Sequence, residues 1–259
     1  YINNMNFKQY FLDDISDNIF DKLKLSCTFE KTGKGRLGAN LFEITENMTY
    51  PIVRTTTKYN NRNQHFKKIH YELINKIKFI TQKNINFNNA MIEIYDNTYK
   101  DMRYHTDQML DLENNSYICI FSCYAHNIIS NRYLKIENKT DKSVSNICLE
   151  NNSIILFDLN TNKNHLHKIY LSGNIKNEWL GITFRLSKTF IKFINEIPFF
   201  CNNDNLLRFA TQDDEIQLRH NKSSENSLIN FTYQYDLIDY TISFGDCLEP
   251  IKITNQIIL

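Results

Sequence analysis

The chain has 259 residues, 42% of them hydrophobic, with 18 Phe, 15 Tyr and 1 Trp; that much apolar bulk excludes a disordered chain and suits one domain of the size common for all-β folds, or one domain with a small appendage. Lys and Arg number 30 against 29 Asp and Glu, a formal charge of +1, which neither requires nor excludes a polyanionic partner. There is no secretory leader, lipid motif or apolar run near eighteen residues, Tyr1 reads as a trimmed start, and six cysteines without Cys-x-x-Cys or zinc spacing point to a reducing intracellular compartment, cytoplasm or nucleus, with no membrane partner.

In chain order, Asp14 or Ser16 is placed to cap a helix in which Ile15, Ile19 and Leu23 recur at i and i+4. A strand is predicted near residues 40–44, and a second, rich in β-branched residues, over 53–59. Asn60 to Asn63 reads as a turn, and residues 64–80 as a helix with Ile69, Leu73, Ile77 and Ile80 on one side and Lys67, Lys68, Glu72 and Lys76 toward water. Between Pro51 and Ala90 eight basic residues face one acid, Glu72. That stretch is either a solvated face or a phosphate-facing surface, and its Arg54, Lys58 and Arg62 are the candidate contacts at the pocket mouth for an anionic polymer.

From Met91 the pattern changes to short alternating strands, predicted at 91–95, 103–108, 117–124, 132–137, 146–149, 153–157, 165–171 and 179–187, separated by polar Asn, Asp and Ser turns. Cys119 and Cys123, in an apolar run, are expected to be small core residues on one strand face. A helix is predicted over 188–195, followed by further strand-like pieces including 239–244. The fold class expected is mainly β with flanking helices (α+β). Residues 1–90 are expected to form an N-terminal extension, 91–190 the β-rich core, and 191–259 a C-terminal extension packed on that core.

Within this pattern His105-Thr106-Asp107 stands out. Residues i and i+2 of a strand project to the same side, so His105 and Asp107 can grip one ion while Thr106 points away. A third ligand must come from a distant strand: His167, with His165 on the same strand face as its competitor. Two imidazoles and a carboxylate fill one face of Fe(II) and leave three positions open. On 179–187 the odd residues share a face, so Arg185 points inward, either as a structural ion-pair residue or toward a bound anion. Tyr95 is packing or a co-substrate contact.

The order Ile94-Tyr95, His105-x-Asp107, His167-x-Ile169 and Ile182-Thr183-Phe184-Arg185 resembles the AlkB-like Fe(II)/2-oxoglutarate-dependent dioxygenases over residues 50 to 190. The resemblance implies a double-stranded β-helix (jelly-roll) catalytic core over 91–190 with a substrate lid within 1–90; Fe(II) on His105, Asp107 and His167; 2-oxoglutarate held by Arg185 and Tyr95; and O2-dependent hydroxylation of a C–H bond, as in demethylation of N-methylated nucleic-acid bases. Two positions depart from the family. Trp179 stands where a second arginine is usual, with Lys176 as a substitute cation, and Met109 stands where an acidic residue often reads the methylated base. A protein or peptide side-chain hydroxylase, and a catalytically silent binding module, are the rival readings.

Overall fold

The computed structural model describes residues 6–45, 47–126 and 129–251; the ends of the proposed N- and C-terminal extensions, 1–5 and 252–259, lie outside them. The first half contains β1 (Lys8–Phe11), α1 (Ile19–Lys24), β2 (Glu30–Gly33), β3 (Arg36–Phe42), β4 (Tyr50–Pro51), β5 (Gln64–His65), α2 (Lys68–Thr81), β6 (Asn89–Tyr95) and β7 (Tyr117–Tyr124). Next come β8 (Arg132–Asn138), β9 (Val144–Cys148), β10 (Ser153–Asp158), α3 (Leu159–Asn164), β11 (His165–Leu171) and β12 (Trp179–Arg185). The last part holds β13 (Phe190–Ile194), β14 (Ile197–Phe200), β15 (Arg208–Phe209), α4 (Gln212–Ser227) and β16 (Tyr240–Thr241). The fold is mixed α+β, dominated by antiparallel sheets with flanking helices, and no sheet closes on itself among the described residues.

An eight-stranded sheet runs β1-β10-β7-β12-β6-β3-β2, with β5 beside β3. Its two faces differ because side chains alternate along each strand. Cys119, Phe121, Cys123, Leu180, Ile182 and Phe184 face α1 and α2 and close a core with Leu23, Leu73, Ile74 and Ile77. Ile118, Ile120, Ile155, Phe157 and Trp179 face the other way and pack on Leu134, Ile136, Ile147 and Ile169 of the three-stranded sheet β11-β8-β9. Helices, large sheet and small sheet thus form three layers, and β1, β2 and β3, from the first ninety residues, are members of the large sheet.

Several sequence expectations need correction. Residues 188–195 form no helix: Phe190–Ile194 is a strand paired with β14 and β4. Asn195 and Glu196 both take positive φ, 51° and 66°, the conformation of a two-residue hairpin turn, and that turn outweighs helical spacing. The run 53–59 is not a strand, although β-branched; its end is instead held by the C-terminal loop, with Gly245 N donating to Tyr59 O and Tyr59 N donating to Ser243 Oγ. Residues 103–108 are joined to a strand only through the His105–His167 bridge. In 239–244 only Tyr240–Thr241 is strand, and a 3-10 turn begins at Phe244. The helix α4 was not anticipated, because its polar sequence carries no apolar stripe. α1 starts at Ile19 after Asn18, so neither Asp14 nor Ser16 is its cap residue.

Candidate metal centre

β11 alternates strictly: His165, His167 and Ile169 are buried, while Leu166, Lys168 and Tyr170 are less so. The two histidines differ in what they bond. His165 Nδ1 donates to Thr161 O at 2.8 Å, its Nε2 lies 3.4 Å from Asn138 Nδ2, and its ring meets Phe7 edge-on; both nitrogens are satisfied, as in a structural histidine. His167 Nδ1 has no partner among the described residues, and its Nε2 lies 3.7 Å from Asp107 Oδ1.

The segment carrying His105 and Asp107 crosses the end of the small sheet. His105 and His167 exchange backbone bonds of 3.0 and 2.8 Å. Two residues on, the amide side chain of Asn162, in α3, stands in for a strand: Asp107 N donates to its Oδ1 and its Nδ2 donates to Asp107 O, both at 2.8 Å. The 105 and 107 side chains therefore fall on one side. His105 Nδ1 donates to Arg103 O at 3.1 Å, which fixes the tautomer and leaves Nε2 with a free lone pair.

One donor atom from each of His105, Asp107 and His167 lies within 4.8 Å of the others, and no second such group occurs among the described residues. His105 Nε2 is 3.9 Å and His167 Nε2 3.7 Å from Asp107 Oδ1, too far for hydrogen bonds. An ion holding three such donors at about 2.1 Å would draw them to roughly 3–3.5 Å apart, so the set fits a metal after a small closure. The His105 side chain is 32% exposed against 4% for His167 and 8% for Asp107, which opens one side to a ligand.

Electrostatics suit the same role. Burial alone would raise the Asp107 carboxyl, but the Arg185 guanidinium, whose Nε and Nη2 reach Oδ2 at 3.1 and 3.0 Å, holds it well below the usual carboxylate range. Burial, then the nearby His167, pushes His105 down despite its exposed edge. The resting site therefore offers an ionised carboxylate and an unprotonated imidazole, the forms a metal requires.

The face of the large sheet beside the triad mixes apolar and polar side chains. Trp179 and Gly181 lie on it at i and i+2, and a Cβ on Gly181 would come within 2.0 Å of the indole, so only glycine lets the ring lie across the strand. Trp179 Nε1, Ser122 Oγ and Tyr59 OH are buried on this side without partners among the described residues. The Tyr95 hydroxyl donates to Glu93 Oε2 at 2.6 Å, and Arg36 pairs with Glu93 Oε1. For a dicarboxylate, Arg185 stands beside the triad with its Nε and Nη2 on Asp107, and Glu93 already occupies Tyr95 and Arg36. Lys176 is exposed in the turn before β12.

The basic residues are dispersed. Arg54 is not at a pocket mouth: it is 1% exposed, bonded through Nη2 to Asp111 Oδ1 at 2.7 Å and through its backbone to Asp111 Oδ2. Lys58 pairs with Glu215 on α4 at 2.7 Å, and Arg62 borders a shallow pocket with Glu196 and Cys247. The lysines of α2 lie across the large sheet from the triad, since α2 packs on the opposite face. Asn162 of α3 and Lys222, Glu225 and Asn226 of α4 carry no motif; the one signal for Asn162 was its place just before the strand bearing His167.

No protein-family model matches the sequence, and no curated protein matches it. Among solved structures, that of OsALKBH1 is similar at 13% identity over 70% of this chain and 96% of that chain, with a TM-score of 0.47.

Proposed function

We propose that this protein is a mononuclear Fe(II) oxygenase that hydroxylates a substrate C–H bond with 2-oxoglutarate and O2 as co-substrates, built on a double-stranded β-helix formed by the large sheet and β11-β8-β9. The observation that carries this reading is the convergence of His105, Asp107 and His167 on one point, with Arg185 on the remaining carboxylate oxygen. Two imidazoles and one carboxylate leave three positions free on an iron ion. Bound there, Fe(II) supplies the O2 chemistry that no side chain can perform.

The chain's own residues orient. Arg103 O fixes the His105 tautomer; Arg185 keeps Asp107 ionised and is the cation that a carboxylate of the oxoacid would meet; Trp179 and Tyr95 are buried against each other on the same face of the large sheet. Lys58 and Arg62 are the basic residues left to meet a nucleic acid, and an N-methylated base is the substrate we infer. The placement of the α2 lysines on the far face favours a protein or peptide side chain as the second reading. The Tyr95–Glu93–Arg36 arrangement favours a third, a metal-binding module without oxoacid turnover.

Anaerobic Fe(II) titration followed by 2-oxoglutarate separates these. A weak charge-transfer band on adding the oxoacid is expected; iron uptake without that band would support the silent module. Arg185→Ala should weaken 2-oxoglutarate binding by roughly tenfold or more, about 1.4 kcal/mol per decade, and Lys176→Ala should leave it near the original value. Co-substrate turnover against single-stranded nucleic acid, duplex and peptide pools then assigns the substrate class.

A further inference from the structure

α4 begins with a Thr211–Asp214 capping box and three acids in its first turn, Asp213, Asp214 and Glu215, which secure its N-terminus. Its buried residues are Leu218, Lys222 and Glu225, spaced i, i+4 and i+7 on one face. A helix that buries a lysine and a glutamate on its inner face needs partners for both. The partners lie in the segment that carries His105 and Asp107. Lys222 Nζ donates to Thr106 O at 2.6 Å, to Thr106 Oγ1 at 2.9 Å and to Glu225 Oε2 at 2.7 Å. Thr106 N and Oγ1 lie 3.0 and 3.2 Å from Asn226 Oδ1, and Met109 N donates to Glu225 Oε1 at 2.8 Å. Tyr233 OH and Lys139 Nζ brace Glu225 from outside, donating to its Oε2 and to its backbone carbonyl.

A His-x-Asp pair on a regular strand would be held by ladder bonds on both edges. Here His105 bonds β11 on one edge, and the next residue, Thr106, turns its N–H and C=O the other way, where no strand lies. Side chains of α4 take the place of that strand. Thr106 is 0% exposed and each of its polar groups is met by Lys222 or Asn226.

We propose that Lys222, Glu225 and Asn226 are positioning residues for the metal centre: from the C-terminal region they replace the missing ladder and fix the separation of His105 and Asp107. This inference rests on the metal-centre reading above. The test uses the full chain, Co(II) as the probe metal, and the pair Asn226→Asp and Asn226→Leu, of similar size but with and without an acceptor for Thr106 N–H. Amide hydrogen exchange at Thr106 and Met109 in the metal-free chain reads the grip itself. Co(II) affinity and the visible spectrum of bound Co(II) read its consequence. Leu23→Ala, in the core on the far side of the large sheet, is the control for lost stability alone.

Asn226→Leu and Lys222→Met are expected to speed exchange at Thr106, weaken Co(II) binding by roughly 10- to 100-fold and alter its spectrum, while Asn226→Asp restores most of the affinity and Leu23→Ala leaves it unchanged. Faster exchange with unaltered Co(II) affinity and spectrum would overturn the inference, leaving α4 a packing element. Absence of Co(II) uptake by the unaltered chain would overturn the metal-centre reading and this inference with it, an outcome distinct from the first.

Discussion

The two faces of β12 obey different rules. Leu180, Ile182 and Phe184 look toward α1 and α2 into a largely apolar core, whereas Trp179, Gly181, Thr183 and Arg185 look toward the small sheet and the triad. On the first face every side chain is interchangeable with another of similar volume and shape. On the second, side chains have specific neighbours: an indole over a glycine, the Arg185 guanidinium on the Asp107 carboxylate. One strand therefore separates what holds the fold from what the site does, and substitutions on the two sides should fail differently.

The largest expected effect is on the site side. His105→Ala, Asp107→Ala and His167→Ala should each abolish binding of Fe(II) or Co(II), read by equilibrium dialysis, while His165→Ala retains most of it, because that ring is satisfied by Thr161 and Asn138. A dead His165→Ala beside an active His167→Ala would reverse the assignment of the distal ligand.

Next in size are losses of stability that leave metal binding intact. Arg54→Ala strands the buried Asp111 carboxylate and should cost about 3–5 kcal/mol in urea unfolding; Leu180→Ala, on the apolar face, should cost about 2–5 kcal/mol. A surviving protein that loses Co(II) affinity on Leu180→Ala would erase the contrast between the faces.

A pH effect belongs to the helix side as well. Burial, reinforced by Lys67, pushes His70 down to about 4, and its Nδ1 accepts from Lys67 N while Ser26 Oγ meets its Nε2. The folded-state value lies below the unfolded one near 6.5, so the unfolded chain takes up the proton first. The contribution is fully present above about pH 6.5 and is lost as pH falls toward 4, a change of about 3 kcal/mol. His70→Gln should flatten the unfolding free energy over that window; an unchanged slope would place the acid sensitivity elsewhere.

The smallest effect concerns substrate. Neutralising Lys58 and Arg62 should lower the salt dependence of nucleic-acid binding by about one slope unit per lost phosphate contact. Salt-insensitive binding would move the assignment to a peptide substrate.

How much of this was legible in the sequence follows the same division. Period-two patterning located β6, β7, β8, β10, β11 and β12 to within a few residues, because each buries one face against a layer. His105, Asp107 and His167 stand out since i, i+2 spacing and residue type carry the chemistry on their own. Arg54 misled because a buried, paired arginine and an exposed one look alike in a charge count. Lys222, Glu225 and Asn226 left no pattern at all, and Asn162 only its place just before β11: they bond backbone groups 55 to 120 residues away through side chains. Such contacts depend on where α3 and α4 dock, which no local periodicity encodes.

The most direct test of the central claim is a crystal of the full chain grown anaerobically with Fe(II), with an anomalous difference map recorded at the iron edge. The account predicts one strong peak within about 2.0–2.2 Å of His105 Nε2, Asp107 Oδ1 and His167 Nε2, with Arg185 still on Asp107 Oδ2. A peak bound by other residues, or a fully iron-soaked crystal with no peak between these three, would contradict it.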